Sequence, residues 1–281
     1  IRHMSPSMAF RDLTALEGML DRLLRQEPVQ YVVGETQFYG LKLKVTGDVL
    51  IPRPETEELV HWIIQEYRGK SKGLRILDIG AGSGCIALAL AAQLPGSEIT
   101  AMDVSEKALA VASENGQALD LKVEFLHDTI LRTREDPPSF DLLVSNPPYI
   151  PPSQQKKMPE QVLAYEPELA LFTREEDPLQ FYKAILSYAE WGGLAPGGSI
   201  FLEINEFLAE EVADLGALDA LPLRPQLPAT AVADRAVSKH AAVRPFRRQT
   251  KIAPIQQQAI LMPKAQAAGG RVDLGSDLVR K

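Results

Sequence analysis

Leu74 to Ala91, LRILDIGAGSGCIALALA, is the stretch that decides the fold. A short apolar run closes on Asp78, three glycines follow at 80, 82 and 84, and a helix-forming run starts near Cys85. Glycine lets a backbone turn sharply and lets a ligand come close, while the N–H groups of the following helix face outward. Dinucleotide-binding folds share such a strand-to-helix turn. The spacing Gly80-x-Gly82-x-Gly84 differs from the G-x-G-x-x-G of a pyrophosphate binder and fits a cofactor without phosphates.

Outward from this turn the text alternates strand-like and helix-like runs. EITAMDVS, KVEFLHD, FDLLVSNPP and GSIFLEIN read as strands, and CIALALAAQLP, EKALAVASENGQAL and FYKAILSYAEWGGL as helices. This predicts an α/β, doubly wound, mostly parallel sheet, whose ligands bind beyond the carboxyl ends of the strands. Asp103 ends the second strand, 23 positions after Gly80, and is placed to accept hydrogen bonds from ribose hydroxyls. Asp128, in FLHDT, closes the third strand, where it either receives the exocyclic amine of an adenine or caps a loop.

A second corner follows FDLLV. SNPPYIPPS, Ser145 to Ser153, holds four prolines in nine residues and ends the strand abruptly. Proline removes a donor and pushes the preceding residue toward extended geometry, so Asn146 and the Pro147 carbonyl stand open as hydrogen-bond acceptors.

The rest of the chain bounds the answer. Among its 281 residues, 45% are hydrophobic and 24% charged, as in ordinary globular proteins. One cysteine, Cys85, excludes an internal disulfide; with no signal-like or membrane-spanning run, a cytoplasmic setting is expected. Residues 1–216 hold 33 acidic and 19 basic residues, whereas 217–281 hold 4 and 11. An acidic body argues against a protein that grips many phosphates, so neither nucleic-acid nor membrane binding is expected. Cys85 reads as a packing residue, and the four histidines show no ligand spacing, so no metal is expected.

Residues 1–4 read as an expression scar, and 5–30 carry an amphipathic helix with Leu13, Leu16, Leu20, Leu23 and Leu24 on one stripe. VQYVVGETQFYGLKLKV reads as β-hairpin material within a linker at 31–54, where Phe38 and Tyr39 pack the hairpin. The main domain spans 55–215. Residues 216–281 show no convincing periodicity, although QQAILMP suits one closing strand.

DIGAGSG, MDVS and SNPPYI together resemble S-adenosylmethionine-dependent methyltransferases of class I, with a seven-stranded-type sheet. With EPVQYVVG, FYGLKLKV and VLIPRPETEELV, the chain from about Glu27 to Leu215 resembles the HemK/PrmC family of protein-(glutamine-N5) methyltransferases. The resemblance implies methylation of a glutamine side-chain amide in the Gly-Gly-Gln motif of peptide chain release factors, with S-adenosyl-L-methionine as cofactor. It puts cofactor contacts on Gly80, Ala81, Gly82, Ser83, Gly84, Asp103, Asp128, Thr129 and Asn146, and substrate contacts on Asn146, Pro147, Pro148 and Tyr149. Catalytic roles fall to Asn146, Pro147 and Tyr149. Arg53 and Thr56 join the cofactor set through a PRPET lid, with Glu55 beside them; a surface charge and a helix cap are their plainer readings. Nucleic-acid amino methyltransferases, acting on adenine N6 or guanine N2, also carry Asn-Pro-Pro-Tyr, and a cofactor-binding fragment without activity is the third alternative. Relatives of this kind usually carry several N-terminal helices, of which the leucine-striped helix resembles the last, and close on a C-terminal strand pair.

Overall fold

The computed structural model describes residues 6–133, 136–217 and 249–252. Helix α1 (Pro6–Leu24) carries the predicted leucine stripe, and Leu13, Leu16, Leu20 and Leu24 are exposed. Val29–Val33, expected as hairpin, is instead a one-turn helix, α2, which Pro28 precedes and Gly34 ends in the left-handed conformation. Its β-branched residues suit a strand, but the proline start and glycine stop decide the matter locally. The hairpin begins one residue later, with β1 (Glu35–Phe38) antiparallel to β2 (Leu41–Lys44) and Phe38 buried.

Next come α3 (Pro54–Tyr67), β3 (Arg75–Ile79), α4 (Cys85–Gln93), β4 (Glu98–Asp103), α5 (Glu106–Ala118), β5 (Glu124–His127) and β6 (Phe140–Ser145). Two short helices, α6 (Glu160–Tyr165) and α7 (Glu168–Leu171), lead to α8 (Gln180–Tyr188), β7 (Leu194–Leu202) and α9 (Ala209–Ala217). The sheet order is β5-β4-β3-β6-β7, all parallel. A further parallel strand, β8 (Gln249–Ile252), pairs with β7 in a segment where the sequence shows no periodicity. QQAILMP lies outside the described residues.

Successive strand residues point to opposite faces, and the core follows that alternation. Ile76, Leu142, Val144 and Phe201 pack on one side with Leu59, Ile63, Leu88 and Leu90 of α3 and α4. Leu77, Leu143, Ile200 and Leu202 pack on the other with Tyr182 and Ile185 of α8. Burial on both faces explains why these strands read as nearly continuous apolar runs. Asn115 of α5 ties hairpin to sheet: its Oδ1 accepts the Lys44 N–H at 2.7 Å, and its Nδ2 donates to the Lys44 and Ser83 carbonyls at 3.1 and 3.0 Å.

At Gly84 the backbone has φ +80°, and a Cβ would lie 3.1 Å from Ala112 Cβ and 3.2 Å from Leu88 Cδ1. Gly80, at φ +78°, has open space instead. Gly84→Ala is therefore expected to cost about 2–5 kcal/mol, combining left-handed strain with overpacking, against about 1–2 kcal/mol for Gly80→Ala. Equilibrium urea unfolding of the two variants measures the gap.

Candidate active site

The strand order reverses at β3, whose neighbours are β4 on one side and β6 on the other. The loops leaving β3 and β6 consequently meet at the carboxyl ends, the usual ligand position in such sheets. Ile79 pairs with Ser145 in register, and the Ser145 hydroxyl donates to the Ile79 carbonyl at 2.6 Å. A cavity opens there, and Gly80, Gly82, Asp103, Asp128, Thr129, Asn146, Pro147 and Pro148 all line it. Asp48, Val49, Leu50, Val104, Phe181 and Ile185 join them, none of them named individually as a site residue from the sequence, although Val49, Leu50 and Val104 fall within the quoted motifs. A wider groove at the opposite ends of the strands, near Glu98, Thr100, Lys122 and Glu124, holds none of the predicted residues.

The glycine loop is pinned to the tip of β4. Gly80 and Ala81 donate to the Met102 carbonyl at 2.8 and 3.0 Å, and Gly82 donates to Asp103 Oδ2 at 2.8 Å. Asp103 Oδ1 accepts from Ser105 at 2.8 Å, so this carboxylate is oriented by two backbone donors. Gly84 N–H closes back on Ala81, and Ala87 N–H of α4 donates to Asp78 Oδ2 at 3.0 Å. The amides of Gly80, Ala81, Gly82, Gly84 and Ala87 are satisfied within the protein, and among the described residues that line the cavity there is no Lys or Arg. A phosphate group would need one or the other. The loop instead offers bare glycine surface beside the carboxylates of Asp103 and Asp128, a donor-seeking wall that suits the hydroxyls and amine of a nucleoside.

Behind the Asn-Pro-Pro-Tyr corner lies a chain of polar groups. Asn146 Nδ2 donates to Thr56 Oγ1 at 3.1 Å, and Thr56 Oγ1 donates to Glu203 Oε2 at 2.7 Å. The Tyr149 hydroxyl approaches Glu203 Oε1 at 3.5 Å, and Asn205 Nδ2 donates to the Tyr149 carbonyl at 3.3 Å. Neither Thr56 nor Tyr149 lines the cavity, and Thr56 is only 2% exposed. Arg53 donates to Glu166 Oε1 at 2.6 Å, and this buried carboxylate also accepts from Ile51 N–H at 3.4 Å, tying the PRPET strap to the α6–α7 turn. Glu55 is exposed. Ala81, Ser83 and Gly84 sit within the turn rather than on the cavity wall. The Cys85 thiol is pushed up to about 12 by burial, in keeping with a packing role.

Glu203 and Glu166 were not singled out in the sequence. Glu203 had one signal, a carboxylate inside the otherwise apolar run SIFLEI; Glu166, in a turn, had none.

Comparison with known proteins fits this geometry. A sequence model of the methyltransferase small domain matches residues 59–167. A release factor glutamine methyltransferase of Flavobacterium psychrophilum is 45% identical over 216 residues, covering 75% of each chain. The chain belongs to the release factor glutamine methyltransferase family. A member from Bacteroides thetaiotaomicron is 44% identical over 70% of each chain, and one from Lactococcus lactis 44% identical over 69% of this chain and 70% of its own. The crystal structure of the hMettl16 catalytic domain with the MAT2A 3′UTR hairpin 6 is 21% identical, covers 66% of this chain and 69% of that chain, and superposes with TM-score 0.50, a likeness of fold. As a family member the protein uses S-adenosylmethionine, and a cavity lined by Asp103 and Asp128 beside the glycine loop fits that cofactor. Among the described residues there is no helix long and apolar enough to cross a membrane and no cluster of three or more His, Cys, Asp or Glu able to hold a metal ion.

Asp78, fully buried under the glycine loop with Oδ1 unpartnered, is pushed up to about 7 by burial, against the Ala87 N–H bond and with help from the Asp103 charge. The folded value exceeds the unfolded one, so the fold favours the protonated carboxyl. Its contribution to stability is present below about pH 4 and is lost as pH rises through about 7. Asp78→Asn removes this dependence: urea unfolding across pH 4–8 is expected to show wild type losing stability relative to the variant over that window and levelling off above it.

Proposed function

We propose that this chain methylates the side-chain amide nitrogen of a glutamine in a peptide chain release factor, at the Gly-Gly-Gln loop that the family resemblance implies. The observation that carries the reading is the position of Asn146 and Pro147 on the cavity wall beside the glycine loop and Asp103. When bound, S-adenosylmethionine supplies a methyl group on a sulfonium sulfur. Asp103 would accept hydrogen bonds from the ribose hydroxyls, Asp128 and Thr129 would hold the adenine, and Gly80 and Gly82 would allow close approach. A glutamine amide nitrogen is a poor nucleophile because its lone pair is delocalised into the carbonyl. Asn146 Oδ1 and the Pro147 carbonyl accept its two N–H bonds, fix the plane of the amide and stabilise the positive charge that develops on nitrogen. No strong base is needed before transfer, since the proton leaves afterwards to water. Pro148 and Tyr149 stiffen the corner. The reading needs no nucleic acid, consistent with the acidic body of the chain.

Labelled methyl transfer tested in parallel on release factor, a ribosomal protein and DNA decides between substrates, and incorporation into DNA alone overturns the proposal. Asn146→Ala is expected to lower kcat by about 10²–10³-fold while leaving cofactor affinity within about threefold. Asp103→Ala is expected to weaken cofactor binding by roughly 10–100-fold, the worth of a charged hydrogen-bonding group, as read by calorimetry.

A further inference from the structure

An asparagine amide has nearly the same shape either way round, so presenting Oδ1 rather than Nδ2 to the substrate requires something to orient it. In this structure the orienting group is 57 positions further along the chain. Thr56 has one hydroxyl proton, and Glu203 Oε2, at 2.7 Å, takes it. Thr56 Oγ1 is then an acceptor toward Asn146, which must offer Nδ2, at 3.1 Å. Oδ1 is left for the cavity.

We propose that Glu203 and Thr56 are positioning residues that hold the Asn146 amide acceptor-outward through this directed chain of hydrogen bonds. The inference rests on the reading of Asn146 given above. The relay runs in one direction only while Glu203 is ionised. Once protonated, Glu203 can donate to Thr56, whose hydroxyl then turns to Asn146 and invites the amide to flip, setting NH₂ against the NH₂ of the substrate. Thr56 and Glu55 of α3, Arg53 in its ion pair with Glu166, Tyr149, Tyr182 of α8 and Cys85 of α4 are the groups that bear on Glu203. Burial raises its pKa, the Thr56 bond opposes this, and Glu55 adds to it. Transfer therefore fails as pH falls through a value above the usual carboxylate range.

The test uses the full chain with release factor as substrate. Thr56→Val, which keeps the shape and loses the hydroxyl, is expected to lower kcat by roughly 10–100-fold with cofactor affinity, measured by calorimetry, within about threefold; Thr56→Ser is expected to restore kcat to within about threefold of wild type. Glu203→Gln does not titrate, and is expected to remove the acid limb from the kcat profile whichever way its amide faces Thr56. The relay is overturned if Thr56→Val stays within threefold of wild type, if Thr56→Ser is as impaired as Thr56→Val, or if Glu203→Gln retains the acid limb. Should Thr56→Val fail to fold, the Thr56→Ser rate and the Glu203→Gln profile decide the question. Full activity in Asn146→Ala would instead overturn the underlying assignment of Asn146, an outcome separate from failure of the relay alone.

Discussion

The pairing of β3 with β6 is the constraint on which the site depends. Those two strands are separated by two complete strand–helix excursions, yet Ile79 and Ser145 end side by side, with the Ser145 hydroxyl on the Ile79 carbonyl. A register slip of one residue would turn Asp78 and Val144 to the wrong faces and separate the glycine loop from the proline corner. Two apolar layers hold the register, because Leu142 and Val144 face α3 and α4 while Leu143 faces α8. The chemistry at the strand ends is thus positioned by side chains that never meet a ligand.

The same end of the sheet concentrates most of the polar groups that the protein buries. Asp78, Ser83, Thr56, Ser145, Glu166, Glu203 and Asn205 are all nearly inaccessible, while the layers beneath them are apolar. Burying such groups is unfavourable unless each finds a partner. Most do: Glu166 has Arg53 and Ile51 N–H, Thr56 has Glu203, and Ser145 has a carbonyl. Asp78 Oδ1, at the end of β3 beneath the glycine turn, and Ser83 Oγ, within it, are the exceptions among the described residues. The unpartnered buried groups thus lie beside the cavity, and the hydrophobic layers beneath offset their cost.

How much of this was legible depended on distance along the chain. The glycine turn, Asp103 and Asn146 are punctuated by Gly and Pro and sit at the ends of short apolar runs, so local physics marks them. Gly80 and Gly82 of that turn line one cavity with Asp103 and Asn146, whereas Ala81, Ser83 and Gly84 do not. Glu203 and Glu166 act on partners more than a hundred residues away, and no local pattern encodes such a contact. Thr56 was noticed as a member of a motif, but its place behind Asn146 rather than on the cavity wall follows from how α3 packs against β7. Val29–Val33 shows the opposite failure, where composition favoured a strand and the flanking Pro28 and Gly34 imposed a helical turn.

Asn115, whose side chain fastens the hairpin to the glycine turn, is followed directly by Gly116. In a pliant chain that dipeptide readily cyclises to a succinimide and deamidates, since the glycine nitrogen can reach the side-chain carbonyl carbon. Here both residues are within α5, and the amide is held by three backbone contacts. Chemical ageing of this protein at that dipeptide is thereby coupled to its unfolding. Any aspartate so formed would lose the two donor bonds that clasp the hairpin, and a molecule once damaged there would refold less well than it began.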